Sequence, residues 1–138
     1  WRIGEVMTVT DHLNLSGGSL FPAPGMVSAG WDATLTERLG SLRGVSGSSV
    51  VALVPGPLRP SPAESRALVS LGADAAVTDS VAEAMVLASR GVAVSALTYL
   101  DAPAAGGNLG RAQLSLRQAS GVTLAAVEEI LRSLRAGS

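Results

Sequence analysis

Between Ser49 and Leu100 the chain runs twice through one local order: an apolar run, a cappable helix start and a helix-ending glycine. Ser49 to Val54 carries Val50 and Val51 and stops at Pro55-Gly56-Pro57, as a strand covered on both faces does. Ser61 can then cap a helix, Pro62 suits its first position, and Glu64 closes a capping box three residues on. Gly72 ends that helix in a left-handed conformation. Ala75 to Thr78 reads as a short buried strand, Ser80 with Glu83 as a second capping box, Gly91 as the next helix end and Val92 to Leu100 as a further strand. Two consecutive strand, helix and strand units with short links predict right-handed parallel crossovers. The expected class is therefore α/β, a three-layer αβα stack on a mostly parallel or mixed sheet.

The flanks fit the same frame. Val6 to Thr10, VMTVT, alternates β-branched residues, and the DHLNLSGG that follows predicts a strand leaving into a loop. Gly17 to Gly30 is rich in Gly, Ser and Pro, and Trp31, Leu35, Leu39 and Leu42 then space out a short helix. After a linker from Ala102 to Gly107, a terminal helix is predicted from Asn108 or Gly110 to Arg135, with Leu124, Val127, Ile130, Leu131 and Leu134 on one face. Gly121-Val122-Thr123 weakens its middle, which leaves one kinked helix or two. Residues 1–138 form a single domain, and 47% hydrophobic residues supply its core.

Composition removes whole classes of function. There are no cysteines and His12 is the only histidine, which leaves no thiolate metal site and almost no room for a Cys or His nucleophile. The net charge is -1 with no basic run, so nucleic acid is not an expected partner. Apolar runs fall short of the roughly 20 residues a bilayer crossing needs, which excludes a membrane span, and the chain reads as cytoplasmic. Asp74, Asp79 and Glu83 are poor metal ligands, since Glu83 is explained by its cap and Asp74 precedes the strand. His12 reads as structural, and Trp31 with Phe21 as buried beneath the loop region.

Asp11-His12-Leu13-Asn14-Leu15, Pro55-Gly56-Pro57, Ala63-Glu64-Ser65-Arg66 and Leu71-Gly72-Ala73-Asp74-Ala75 occur in this order at characteristic separations. In that respect the chain resembles the C-terminal half of the trimeric-class purine nucleoside phosphorylases. The resemblance implies a nucleoside phosphorylase-like sheet that lacks the N-terminal strands, with the Gly-rich phosphate loop expected before Trp1. It also implies an exposed apolar edge or face, and hence a homo-oligomer or a hetero-oligomer with a phosphorylase-like subunit.

The family's pocket positions are altered. Where the family has an aromatic against the ligand and a Glu bonding the purine, Arg59 and Pro60 stand. Where it has a Met against the sugar and a Ser donating to phosphate, Thr78 and Asp79 stand. The Asn that holds purine N7 corresponds to Ala102, and no His follows, so Arg111 is the nearest polar stand-in for the ribose contact. A carboxylate beside phosphate repels it, and the proline side chain cannot accept the hydrogen bonds that a purine donates. If the family fold carries over, Arg59, Arg111 and Asp79 are expected to converge on the pocket, where an ion pair among them is preferred to binding of a different anion. The expectation is a catalytically inactive homologue serving as a structural or regulatory subunit, without cofactor, whose implied ligand is a nucleoside or purine. The alternative is an active purine nucleoside phosphorylase, a pentosyltransferase with phosphate as co-substrate, whose N-terminal half is supplied by another chain or lies outside this sequence.

Overall fold

A computed structural model of the protein describes residues 3–18, 30–56, 59–101 and 109–136; within the last stretch, side chains are described at 116–132 and at Arg135. Eight elements follow in order: β1 (Val6–Asn14), α1 (Ala33–Gly40), β2 (Val45–Leu53), α2 (Pro62–Ser70), β3 (Ala75–Val77), α3 (Val81–Ser89), β4 (Leu97–Tyr99) and α4 (Leu109–Ala136). The strands form one mixed sheet in the order β3-β2-β1-β4. β1 and β3 both run parallel to β2, whereas β4 pairs antiparallel with β1.

The β2-α2-β3 unit is the parallel crossover that its sequence predicts. The second unit differs: β4 is placed beside β1, at the opposite edge from β3. Only Leu97, Thr98 and Tyr99 pair there, against Thr8, Met7 and Val6, so most of the apolar run from Val92 is not strand. An apolar run records burial rather than direction or neighbour, and Val94 and Ala96 meet that need by packing on the core.

β1 likewise runs past its expected end. Asp11, His12, Leu13 and Asn14 stay in the sheet because each lies opposite a residue of β2, from Val50 to Leu53. A register shift between Val9 and Asp11 absorbs the irregularity. Turn-forming residues are overruled where a long partner strand offers every backbone group a mate.

The core gathers Val9, Val51 and Leu53 from the sheet with Val81, Ala84 and Met85 from α3. Trp31, Ala75, Val77, Val94 and Ala96 pack around them. Thr8 points to the opposite face from Val9, and its side chain lies against Gly40 at the end of α1. Helices therefore flank both faces, which is the expected αβα layering.

The first capping box forms: the Ser61 amide donates to the Glu64 carboxylate at 2.7 Å, and the Glu64 amide donates to the Ser61 hydroxyl at 3.3 Å. Gly72 and Gly91 follow α2 and α3 at φ +90° and +79°. The second box does not form. Ser80 sits at φ 67° and makes no side-chain cap; its hydroxyl donates to the Asp79 carboxylate instead. The three-residue link from β3 leaves no room for the extended conformation a capping serine needs.

The terminal helix is one continuous element of 28 residues. Against the rest of the domain Ala119 and Ala126 are buried and Val122 lies beside Gly44, while Leu124, Val127 and Leu131 of the expected apolar face are exposed.

Candidate functional site

Three segments enclose an open cavity of about 460 Å³. The loop before α2 contributes Arg59 and Pro60, and α2 contributes Ser65, Leu68 and Val69. Residues 73–77 line a second side and residues 98–101 a third. α2 borders this space because it buries none of its residues against the sheet. Its capping box holds the first turn in place, and Gly72 turns the chain so that Ala73 is buried and Asp74 meets β2. The Asp74 carboxylate accepts from the Val50 amide at 2.9 Å, which occupies it in anchoring β3.

The polar chemistry of the cavity is concentrated at one ion pair. The Arg59 guanidinium donates to the Asp101 carboxylate at 3.2 Å, both side chains being more than half exposed. The other lining side chains are mainly aliphatic, with Tyr99 the one aromatic among the described residues. The site can thus accept a small, partly apolar molecule. The Arg59 and Asp101 charges neutralise each other, and the third charged lining residue, Asp74, accepts from the Val50 amide.

Of the six residues singled out from the sequence, Arg59 and Pro60 line this cavity and Thr78 and Asp79 do not. Thr78 packs against Gly56, where an added Cβ would come within 3.0 Å of the Thr78 Cβ. Asp79 is turned to the start of α3, where its carboxylate takes the Ser80 hydroxyl and its carbonyl oxygen accepts from the Val81 amide. Ala102 and the Arg111 side chain lie outside the described residues. The ion pair expected among Arg59, Arg111 and Asp79 is not the one observed: Arg59 pairs with Asp101, and Asp79 stays at the start of α3.

Asp101, Tyr99 and Leu68 were missed in the sequence. A tyrosine ending a strand and an aspartate two residues on carry no spacing signal. They reach the cavity only because β4 pairs with β1.

His12 takes no part in the cavity. Its ring meets Trp31 edge-on, with centroids 6.1 Å apart and planes at 87°, a packing role as the sequence suggests. Among the described residues its Nδ1 and the Trp31 Nε1 are buried without a hydrogen-bond partner. Phe21 lies outside the described residues. Among the described residues, no group of three or more His, Cys, Asp or Glu could hold a metal ion, and no helix is long and apolar enough to cross a membrane.

A family model described as the phosphorylase superfamily matches residues 1–132. No curated protein matches the chain. Among solved structures, a Schistosoma purine nucleoside phosphorylase in complex with hypoxanthine aligns with a TM-score of 0.75 at 19% identity, covering 94% of this chain and 55% of its own. Isoform 2 of the Schistosoma mansoni enzyme, in complex with cytosine and ribose-1-phosphate, aligns with a TM-score of 0.74 at 20% identity, covering 94% and 54%. The chain therefore spans about half the length of these structures, and at such identities the likeness is one of fold.

Proposed function

We propose, because the chain belongs to the phosphorylase superfamily, that it is a catalytically inactive nucleoside phosphorylase homologue acting by association, as a structural or regulatory subunit of a phosphorylase-like oligomer. The observation that carries this reading is the state of the cavity. Arg59 is engaged by Asp101, Pro60 offers no side-chain hydrogen bond, and Thr78 and Asp79 are spent on packing and on the start of α3. Phosphorolysis breaks the N-glycosidic bond and forms a C–O bond from the sugar to phosphate, so the site must stabilise charge developing on the leaving base while holding a dianion. The Arg59–Asp101 pair provides neither: its cation is already neutralised, and its carboxylate repels phosphate.

The partner is read as a further copy or a phosphorylase-like subunit, and the cell compartment as the cytoplasm. Nucleic acid is not an expected partner, and no cofactor is required. A nucleoside or purine remains the ligand class of the cavity.

A second reading, an active purine nucleoside phosphorylase completed by another chain or by sequence outside this one, is favoured by the cavity itself. Its volume falls in the range of small-molecule sites. Phosphate would then be the co-substrate.

Incubation of the chain, alone and mixed with the N-terminal half of a nucleoside phosphorylase, with phosphate and inosine, guanosine or methylthioadenosine separates the two readings. No free base above background is expected. Turnover that disappears in Asp101→Ala would overturn the inactive reading.

A further inference from the structure

The apolar residues that α4 leaves in solvent form one stripe. Leu116, Leu124, Val127 and Leu131 are each at least half exposed. At 100° per residue they fall within an arc of about 80°, with Ser120 in its middle. The stripe is about 22 Å long. It lies beside the line of Ala119 and Ala126 that meets the domain, so the helix is apolar over two adjacent faces and the domain covers only one.

We infer that this stripe pairs with the same stripe of a second copy of the chain, the two α4 helices running antiparallel about a two-fold axis beside Leu124. The order of side chains supports that occupant. A single axis places Leu116 opposite Leu131, Ser120 opposite Val127, and Leu124 close to its own mate, so bulky residues meet bulky ones at the ends and a small one faces a β-branched one between.

The charges agree. Arg117 and Glu128 lie on the same flank of the stripe, and in the antiparallel pair that flank faces itself. Arg117 then comes within two residues, about 3 Å of rise, of the level of Glu128 in the second copy, once at each end. The like pairs are held apart, by about 13 Å of rise for Glu128 and about 20 Å for Arg117. Within its own chain Glu128 lies 3.7 Å from Arg132, an exposed contact that leaves its other oxygen free to be shared. A parallel pair would instead set this flank against the opposite flank of the second copy, so that Arg117 and Glu128 would find no mate of opposite charge among each other. The isologous antiparallel arrangement is thus the one that matches both apolar and charged residues.

The inference rests on the reading of the chain as one that acts by association, yet its test and the turnover test fail separately. The whole chain is followed by sedimentation over a range of concentrations, with near-ultraviolet dichroism confirming that each variant folds. A reversible dimer is expected, weakened about tenfold or more by Leu124→Glu, and weakened by raised salt because the Arg117 and Glu128 pairs are exposed. Arg117→Glu and Glu128→Arg should each weaken it and the double reversal should restore it, an outcome that a stripe meeting another protein would not give.

Because the chain has no cysteine, cross-linking reads the axis directly. Leu124→Cys alone should form a disulfide dimer. Leu116→Cys alone should not, but should cross-link when mixed with Leu131→Cys. A monomer at every concentration, a dimer indifferent to Leu124→Glu and to the charge reversals, or equal cross-linking by Leu116→Cys and Leu124→Cys would overturn the inference.

Discussion

The Arg59 guanidinium meets the Asp101 carboxylate at 3.2 Å, joining the loop that follows β2 to the segment that leaves β4 across 42 residues of chain. Both groups are largely in water, so the pair contributes little to folding. Its effect is on the cavity, where it cancels a cation that would otherwise be offered to an anion.

Asp101→Ala should therefore change stability by less than about 1 kcal/mol, while uncovering Arg59. The variant is expected to gain a rise in melting temperature with inorganic phosphate that the wild type lacks, read by thermal shift against a chloride control of equal ionic strength. Equal stabilisation of both proteins by phosphate would refute the assignment.

The capping box makes stability depend on pH in one direction. The Glu64 carboxyl is held below its usual range, first by the hydrogen bond from the Ser61 backbone and then by the Ser61 side chain. A group depressed in the folded state stabilises fully above the unfolded value and loses that contribution as pH falls through the folded one. The difference between wild type and Glu64→Gln in urea midpoints should thus be largest near neutral pH and vanish in acid. Ser61→Ala should cost about 1 kcal/mol at neutral pH.

Gly44 tests how α4 docks. It sits at φ +99°, and a Cβ there would come within 2.7 Å of Val122 Cγ2. Gly44→Ala is expected to destabilise by more than about 1 kcal/mol, from backbone and contact together. Adding Val122→Ala should recover the contact part and leave the backbone part, as measured by chemical denaturation. Full recovery would show that backbone conformation contributes nothing.

Ser80 is the one described non-glycine residue at positive φ. Ser80→Gly should raise the melting temperature, with a gain of up to about 1 kcal/mol, because the hydroxyl caps nothing. A loss of stability would mean that its bond to Asp79 holds the start of α3.

The contrast between the two serines shows where sequence reading succeeds. Ser61 and Glu64 are three residues apart and preceded by a loop long enough to supply an extended cap, so the box forms as its residue types require. Ser80 and Glu83 have the same types and spacing, but β3 ends three residues earlier and the chain must turn at once, which forces Ser80 into the left-handed region. The same holds in the cavity. Arg59 and Pro60 are marked by the family resemblance, as the positions that follow Pro55-Gly56-Pro57, whereas Asp101 is not, because its neighbour is a residue 42 positions away.

Sequence alone determined the order of elements, the ends of α2 and α3 at Gly72 and Gly91, and the α/β class. Each depends on groups within about one helical turn or on the alternation of a single strand. Tertiary structure alone decided that β4 runs antiparallel beside β1, that β1 continues to Asn14, and that α4 turns its alanines to the domain and its leucines to solvent. Those outcomes depend on which strand offers unpaired backbone groups and which surface lies close enough to need small side chains, and neither is written in the local pattern of the segment concerned.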